Sequence, residues 1–352
     1  MSKTQKDQVE NSATLYRKYR PQSFKEVVGQ DHITHTLEAS IKNGNIGHAY
    51  LFCGSRGTGK TSLARIFAKA IGCTPNDLYE LDAASHTQVE NIRELNEAVN
   101  TLPFESPYKV YILDEVHMLS KNAWNALLKT LEEPPQHAVF ILATTELEKV
   151  PETVVSRCQS FIFRKPTQAI LKEMILKLAK SEDFKLDPAS ADLIAFLGDR
   201  SFRDTQSILQ KVIGASSDKK ISVEEVLEIT GAPRSESVNA FISAIDNQNI
   251  EEGLQAISKI TEENIDPEIY IKMILEKVRN ILLLRLSPSS TEKIRDKYSD
   301  QDFTFLENLA KKKEVKINSN VLAGLLRTSD EIRKSSVPEV TLELCLYSLL
   351  GE

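Results

Sequence analysis

An α/β domain built on a parallel sheet and followed by all-α domains is the fold class this sequence predicts, on three observations. Between Leu15 and about Phe163, near-continuous apolar runs alternate with amphipathic helical patterns. A glycine-rich phosphate-loop pattern stands directly after the first run. Beyond Lys165-Pro166 the strand signal fades, and helical patterns continue to the end of the sequence. With 352 residues the chain is too long for one ordinary core and suits two or three domains of ~150 residues. A hydrophobic share of 41% and a charged share of 27% exclude a fibrous fold and wholesale disorder.

Residues 1–14 are polar and predict a frayed terminus. Ala49-Tyr50-Leu51-Phe52-Cys53, Val110-Tyr111-Ile112-Leu113 and Val139-Phe140-Ile141-Leu142-Ala143 follow. Each is unbroken by polar residues and bounded by turns, which predicts strands buried on both faces. Leu63, Ile66, Phe67, Ala70 and Ile71 step by three and four, as do Trp124, Leu127, Leu128 and Leu131, so each set marks one helix face. Ser120 predicts the cap of the second helix, and Pro134-Pro135 its stop. Strands alternating with helices predict a parallel sheet covered on both sides. Short helices are expected over 166–232, a boundary at Gly231-Ala232-Pro233, and a further helical domain over 233–352 with Pro267, Pro288 and Pro338 as breakers.

The net charge of -6 is uneven: residues 1–165 sum to zero, and residues 166–352 carry all six negative charges. A protein that coats nucleic acid by bulk electrostatics should be basic, so contact with DNA must use local features. Cys53, Cys73, Cys158 and Cys345 lie far apart, without the spacing of a disulfide framework or a four-ligand zinc site, which suits a reducing cytoplasm. No run approaches the ~18 apolar residues of a membrane span, and the polar start has no signal-peptide core.

Gly54-Ser55-Arg56-Gly57-Thr58-Gly59-Lys60-Thr61 matches the phosphate-loop pattern in full, between an expected strand and an expected helix that continues with Ser62. Its glycines let backbone N–H groups turn inward around phosphate oxygens, and the helix presents its positive end. Lys60 is placed for the β and γ phosphates of ATP, and the Thr61 hydroxyl for Mg²⁺. The strand ending in Asp114-Glu115 would lie beside the first, bringing Asp114 to the metal and leaving Glu115 to activate a water. Without the phosphate loop, two such acids would read as a solvated strand end. Thr144 and Thr145 end the next run; a hydroxyl there suits the water or the γ phosphate, and equally suits ordinary strand-end hydrogen bonding.

These residues, in order with Tyr16-Arg17-Lys18-Tyr19-Arg20-Pro21, Val27-Val28-Gly29-Gln30, Leu81-Asp82-Ala83-Ala84-Ser85, the segment Asn122 to Pro135 and Ser156-Arg157-Cys158, resemble the clamp-loader AAA+ ATPases. Among these the pattern is most similar to the gamma/tau subunits of bacterial DNA polymerase III. In detail the resemblance covers about residues 15–165, and beyond that it rests on Phe202-Arg203-Asp204 and the helical pattern. It implies an AAA+ P-loop ATPase domain over 15–165, a helical lid over 166–232 and a helical collar over 233–352. It implies a hetero-pentamer with delta, delta-prime and further gamma/tau copies, with ATP at the interfaces. It also implies opening of a sliding clamp and its loading on primed DNA. Arg157 would reach the γ phosphate held by the next subunit, Arg203 would sense it in cis, and Arg20, Val27 and Val28 would line the adenine pocket. Thr87, Lys121 and Asn122, near helix starts, are candidates for DNA phosphates.

Two departures from the family pattern matter. Between Cys73 and Leu81 there is no room for the four-cysteine zinc module of relatives, and one thiolate makes no tetrahedral site, so no zinc is expected. The sequence stops at Leu349-Leu350-Gly351-Glu352, so the tau extension is expected to be absent. Two other functions compete with this reading. A delta-prime-like stator shares Ser-Arg-Cys but lacks a working phosphate loop, against Lys60, Thr61 and Glu115 here. An AAA+ remodeller of another substrate is disfavoured by the segment from Trp124 to Pro135.

Overall fold

The computed structural model describes residues 14–85, 89–295 and 297–351. The chain divides into two compact units, one of residues 1–183 with 194–210, the other of 184–193 with 211–352.

The first unit is built on five parallel strands: β1 (Ala49–Cys53), β2 (Leu78–Asp82), β3 (Lys109–Asp114), β4 (Ala138–Thr144) and β5 (Gln159–Ile162), in the order β2-β3-β4-β1-β5. The three apolar runs form the central strands, and all seven residues of β4 are buried. Alternation sends their side chains to opposite faces. Leu51, Tyr111, Leu113, Phe140 and Leu142 enter one cluster, Tyr50, Phe52, Ile112, Val139 and Ile141 the other. Sequence reading missed the two edge strands. β2 is mostly exposed and β5 buries only Phe161, so neither carries a continuous apolar run.

Helices cover both faces. α1 (Leu15–Lys18), α2 (Asp31–Lys42), α3 (Lys60–Ala70), α4 (Val89–Val99), α5 (Lys121–Glu132) and α6 (Glu152–Val155) belong to this unit, with α7 (Gln168–Ser181). Trp124, Leu127 and Leu131 of α5 are buried on one side of the sheet, and Leu63, Ala64 and Phe67 of α3 on the other. Ser120 caps α5 as expected, its hydroxyl accepting from the Ala123 N–H at 3.2 Å. After α8 (Pro188–Leu197), α9 (Phe202–Ala215) begins in the first unit.

A loop before β3 is pinned by buried charge. The Asp77 carboxylate, 1% exposed, accepts the N–H groups of Phe104, Glu105 (3.0 Å) and Ser106 (2.9 Å). Buried Lys109 donates to Ala98 O and Thr101 Oγ1 at 2.8 and 2.7 Å. Held this way, Leu102 and Phe104 stand out in solvent, 78% and 81% exposed. Burial pushes the Asp77 carboxyl up, but the N–H groups of Glu105, Phe104 and Ser106 and the Ser106 side chain outweigh it and bring it to about 2. The folded value lies below the ordinary value of about 3.9. The anion's contribution is therefore present above about pH 4 and is lost as pH falls towards about 2. Asp77→Asn should cost about 2 kcal/mol at neutral pH. Thermal melts at stepped pH should show the gap from wild type closing across that window. A gap that stays constant there would rule out the charge as what holds the loop.

In the second unit, α10 (Val223–Thr230), α11 (Ser235–Asn247), α12 (Ile250–Glu262), α13 (Pro267–Leu286), α14 (Thr291–Arg295), α15 (Asp300–Lys311), α16 (Ser319–Ile332) and α17 (Pro338–Leu350) follow one another. Phe241, Tyr270, Ile274, Leu306, Leu325 and Leu346 are fully buried in one core. β6 (Lys185–Leu186) and β7 (Lys220–Ile221) pair in parallel, two short strands within a region expected to be helical only. No described helix is long and apolar enough to cross a membrane.

Candidate nucleotide site

The phosphate loop leaves β1 and enters α3. Gly57 and Gly59 hold φ of 73° and 100°, the region that favours glycine, so the backbone can fold back on itself. At Gly57 there is also no space, because a Cβ would stand 1.9 Å from Ser201 Oγ. The Gly57 carbonyl accepts the N–H of Phe202 at 3.0 Å, which sets the start of α9 against the loop. Thr58, buried, donates its hydroxyl to Ser55 O at 2.8 Å.

Lys60 folds back under the loop, 6% exposed, and donates to Gly54 O at 2.7 Å and Ser55 O at 3.2 Å. Burial pushes its ammonium below the usual lysine range, partly offset by Glu115 and Asp114. Thr61 Oγ1 donates to Asp114 Oδ2 at 2.6 Å, so the two oxygens that the sequence reading expects at Mg²⁺ stand together. Parallel pairing in the order β3-β4-β1 brings Asp114 to this end of the sheet.

Glu115 follows at φ 49° and ψ 44°, a left-handed conformation for a residue with a side chain. Its N–H is held by Asp114 Oδ1 at 3.0 Å, and its carboxylate accepts from Thr145 Oγ1 at 3.2 Å. Strain of this kind gathers at sites where a side chain must be aimed. Thr144, the neighbouring candidate, is fully buried, donates to Glu146 O and receives the Glu146 N–H. Of the two threonines, Thr145 is the one that touches Glu115.

A cavity of about 380 Å³ opens over these groups. Arg56, Ser62, Arg20, Val27 and Val28 line it, as does Arg203. Gln30 holds the Val27-Val28 segment against the end of β5, its amide donating to Arg164 O at 2.8 Å and accepting the Arg164 N–H at 3.1 Å. Lys18 Nζ and Tyr19 Oη, at 2.7 and 2.6 Å from Glu182 Oε1, hold the Tyr16–Arg20 segment to the C-terminal end of α7. Arg203 lies over the Tyr16 ring, 4.8 Å from its centroid.

Five basic residues line the cavity (Arg17, Arg20, Arg56, Lys60 and Arg203) against three acids (Glu26, Asp114 and Glu115). A glycine-rich loop at the N-terminus of α3, an excess of cations and a preformed Thr61–Asp114 pair fit a polyphosphate with its divalent cation. Among the described residues, no group of three or more His, Cys, Asp or Glu is arranged to hold a metal ion. Burial raises the Cys73 thiol to about 11.

The remaining candidates lie apart from the cavity. Arg157 points to its own surface, 34% exposed, paired with Glu132 Oε1 at 2.6 Å and donating to Thr153 O at 2.6 Å. Lys121 and Asn122 are exposed in the first turn of α5. Thr87 lies outside the described residues. Sequence reading missed Tyr16 beneath Arg203, the Gln30 clasp, Ser201 and His117. Tyr16 and Gln30 belong to the motifs Tyr16–Pro21 and Val27–Gln30, and His117 stands two positions after Glu115, but each acquires a partner only through the fold.

The chain is similar to known proteins in sequence and in structure. The family "DNA polymerase III, delta subunit" matches residues 29–82 and 76–167, and "DNA polymerase III subunits gamma and tau domain III" matches 221–351. The chain is 36% identical to the DNA polymerase III subunit tau of Bacillus subtilis, over 95% of this chain and 62% of that protein. It is 34% identical to the subunit gamma/tau of Mycobacterium bovis, over 96% and 62%, and 36% identical to the subunit tau of Escherichia coli, over 78% and 46%. The chain thus spans about three fifths of the length of the first of these relatives. In structure, it resembles the Holliday junction branch migration motor RuvB of Thermotoga maritima, an AAA+ fold, with a TM-score of 0.52 at 21% identity over 70% of this chain and 86% of that one.

Proposed function

Given that this chain belongs to the gamma/tau subunit family of bacterial DNA polymerase III, we propose that it is an ATPase motor of a cytoplasmic clamp loader. In this role it binds and hydrolyses ATP at subunit interfaces to open a sliding clamp and load it on primed DNA. The observation that carries this reading is one cavity holding Lys60, the Thr61–Asp114 pair and a Glu115 carboxylate already held by Thr145.

In this mechanism the loop N–H groups and Lys60 bind the β and γ phosphates, while Thr61 and Asp114 hold Mg²⁺. The bound cation supplies charge neutralisation on the transferring group. Glu115 accepts the proton of the attacking water, and Thr145 keeps its carboxylate turned to the cavity. Arg20, Val27 and Val28 take the adenine end. Arg203, resting on Tyr16, moves to the γ phosphate and reports it through α9, whose first N–H is bonded to the phosphate loop. Arg157, on an exposed surface, acts on the ATP of the adjoining subunit.

The assembly we propose is a hetero-pentamer with delta, delta-prime and further copies of this chain, in which 15–165 is the ATPase domain, 166–232 the lid and 233–352 the collar. Leu102 and Phe104, held out by Asp77 and Lys109, offer an apolar contact for the clamp. Lys121 and Asn122 are placed for DNA phosphates, which suits a domain without net charge.

The test is ATP turnover by the co-assembled complex, with and without clamp and primed DNA. Stimulation that needs both is expected, and turnover indifferent to both would leave an ATPase and remove the clamp-loading role. In the same assay Arg157→Ala should lower turnover by ~10³- to 10⁵-fold while the isolated chain keeps its nucleotide affinity. Loss of binding in the isolated chain would refute action across the interface.

A further inference from the structure

His117 sits in the 3₁₀ turn Val116–Met118 directly after Glu115, with its side chain 7% exposed. A buried imidazole needs partners for both nitrogens. Nδ1 lies 3.1 Å from Thr144 Oγ1 and 3.5 Å from Glu115 Oε2. The Thr144 hydroxyl gives its one hydrogen to Glu146 O at 3.2 Å, so towards the ring it acts as acceptor, and this network assigns the proton to Nδ1. The same nitrogen lies within ion-pair distance of Glu115 Oε2, the oxygen that accepts from Thr145. Nε2 lies 3.2 Å from Glu146 Oε1, and the other oxygen of Glu146 is held by Lys149 Nζ at 2.8 Å.

Glu115 needs such support. Its backbone is left-handed, its carboxylate is about a third exposed, and its other side-chain donor is one threonine hydroxyl at 3.2 Å. A carboxylate held by a single donor can swing, and a displacement of about 1 Å at a reacting group costs up to ~100-fold. We infer that His117 is a positioning residue: seated on Thr144 through its Nδ1–H, with Nε2 beside Glu146, it braces the Glu115 carboxylate from the Nδ1 edge of the ring. The inference rests on the hydrolytic role given to Glu115 above. Phosphate binding involves Lys60 and the loop N–H groups, and His117 touches neither. The brace should therefore act on turnover and leave affinity alone.

Three substitutions in the assembled complex test this. An asparagine amide nitrogen stands near the place of Nδ1, and a glutamine amide nitrogen near that of Nε2. His117→Ala should lower kcat by about 10- to 100-fold, with nucleotide affinity within about twofold of wild type. His117→Asn should recover most of the turnover, and His117→Gln much less. If alanine leaves kcat at the wild-type value, or the two amides fall equally, His117 does not position Glu115. If affinity falls in step with kcat, its role is structural. A wild-type complex without ATP turnover would instead overturn the function proposed above, which separates the two failures.

Discussion

Glu115→Gln should leave ATP bound and stop its turnover. The substitution keeps the size of the side chain and its place against Thr145, but removes the group that accepts a proton. Loss of a general base lowers rate by about 10²- to 10⁴-fold. Binding should survive because the proposed contacts to phosphate come from Lys60 and the loop, and Glu115 makes none of them. The backbone adds a second expectation. Glu115 adopts φ 49°, which glutamine tolerates about as well as glutamate, so thermal stability without nucleotide should be unchanged. Single-turnover hydrolysis and equilibrium nucleotide binding, measured on one preparation, decide the matter. Turnover that persists within tenfold of wild type would remove Glu115 from the reaction, and with it the brace inferred for His117.

Lys60→Met should abolish the stabilisation that ATP confers while leaving the ligand-free protein as stable as before. A buried ammonium is costly, and here burial depresses its pKa; two backbone carbonyls and the nearby acids compensate only in part. Methionine fills a similar volume without charge, and replacing a buried charge by an apolar side chain is often neutral or stabilising. The Ser55 carbonyl keeps the Thr58 hydroxyl as a donor when the ammonium is gone. With ATP present the wild type gains about 2.7 kcal/mol at a hundred times its Kd, and the variant should gain nothing. Paired melts with and without Mg²⁺-ATP measure both parts. A variant that melts lower without nucleotide would show that Lys60 holds the loop together, and a preserved ATP shift would show that it does not hold phosphate.

The phosphate loop, the capped α5 and the central strands were legible because each is a local pattern. Glycine conformations, a serine before a helix and an unbroken apolar run all carry their meaning within a few residues. The edge strands were not legible. Tyr79 and Glu80 of β2 face solvent, and Gln159 and Ser160 of β5 are exposed, so neither strand differs in composition from a loop. They are strands because their backbones complete hydrogen bonds offered by β3 and β1. The two-residue pair β6–β7 escaped for the same reason.

At the site, residue types and local order indicated Lys60, Thr61, Asp114 and Glu115, but partners did not follow from order. Thr61 and Asp114 are 53 positions apart and meet because β3 and β1 flank β4 in one parallel sheet. The same adjacency of β3 and β4 sets Thr145 on Glu115 and places His117 between Glu115 and Glu146. Arg203 finds Tyr16 only once α9 returns to the phosphate loop through Phe202 and Ser201. By itself the sequence determined which groups the chain owns and which backbone segments can cradle phosphate, because those depend on side-chain chemistry and a few successive dihedrals. Tertiary structure decided which group braces which, because hydrogen bonds act over about 3 Å, and only packing brings distant residues that close.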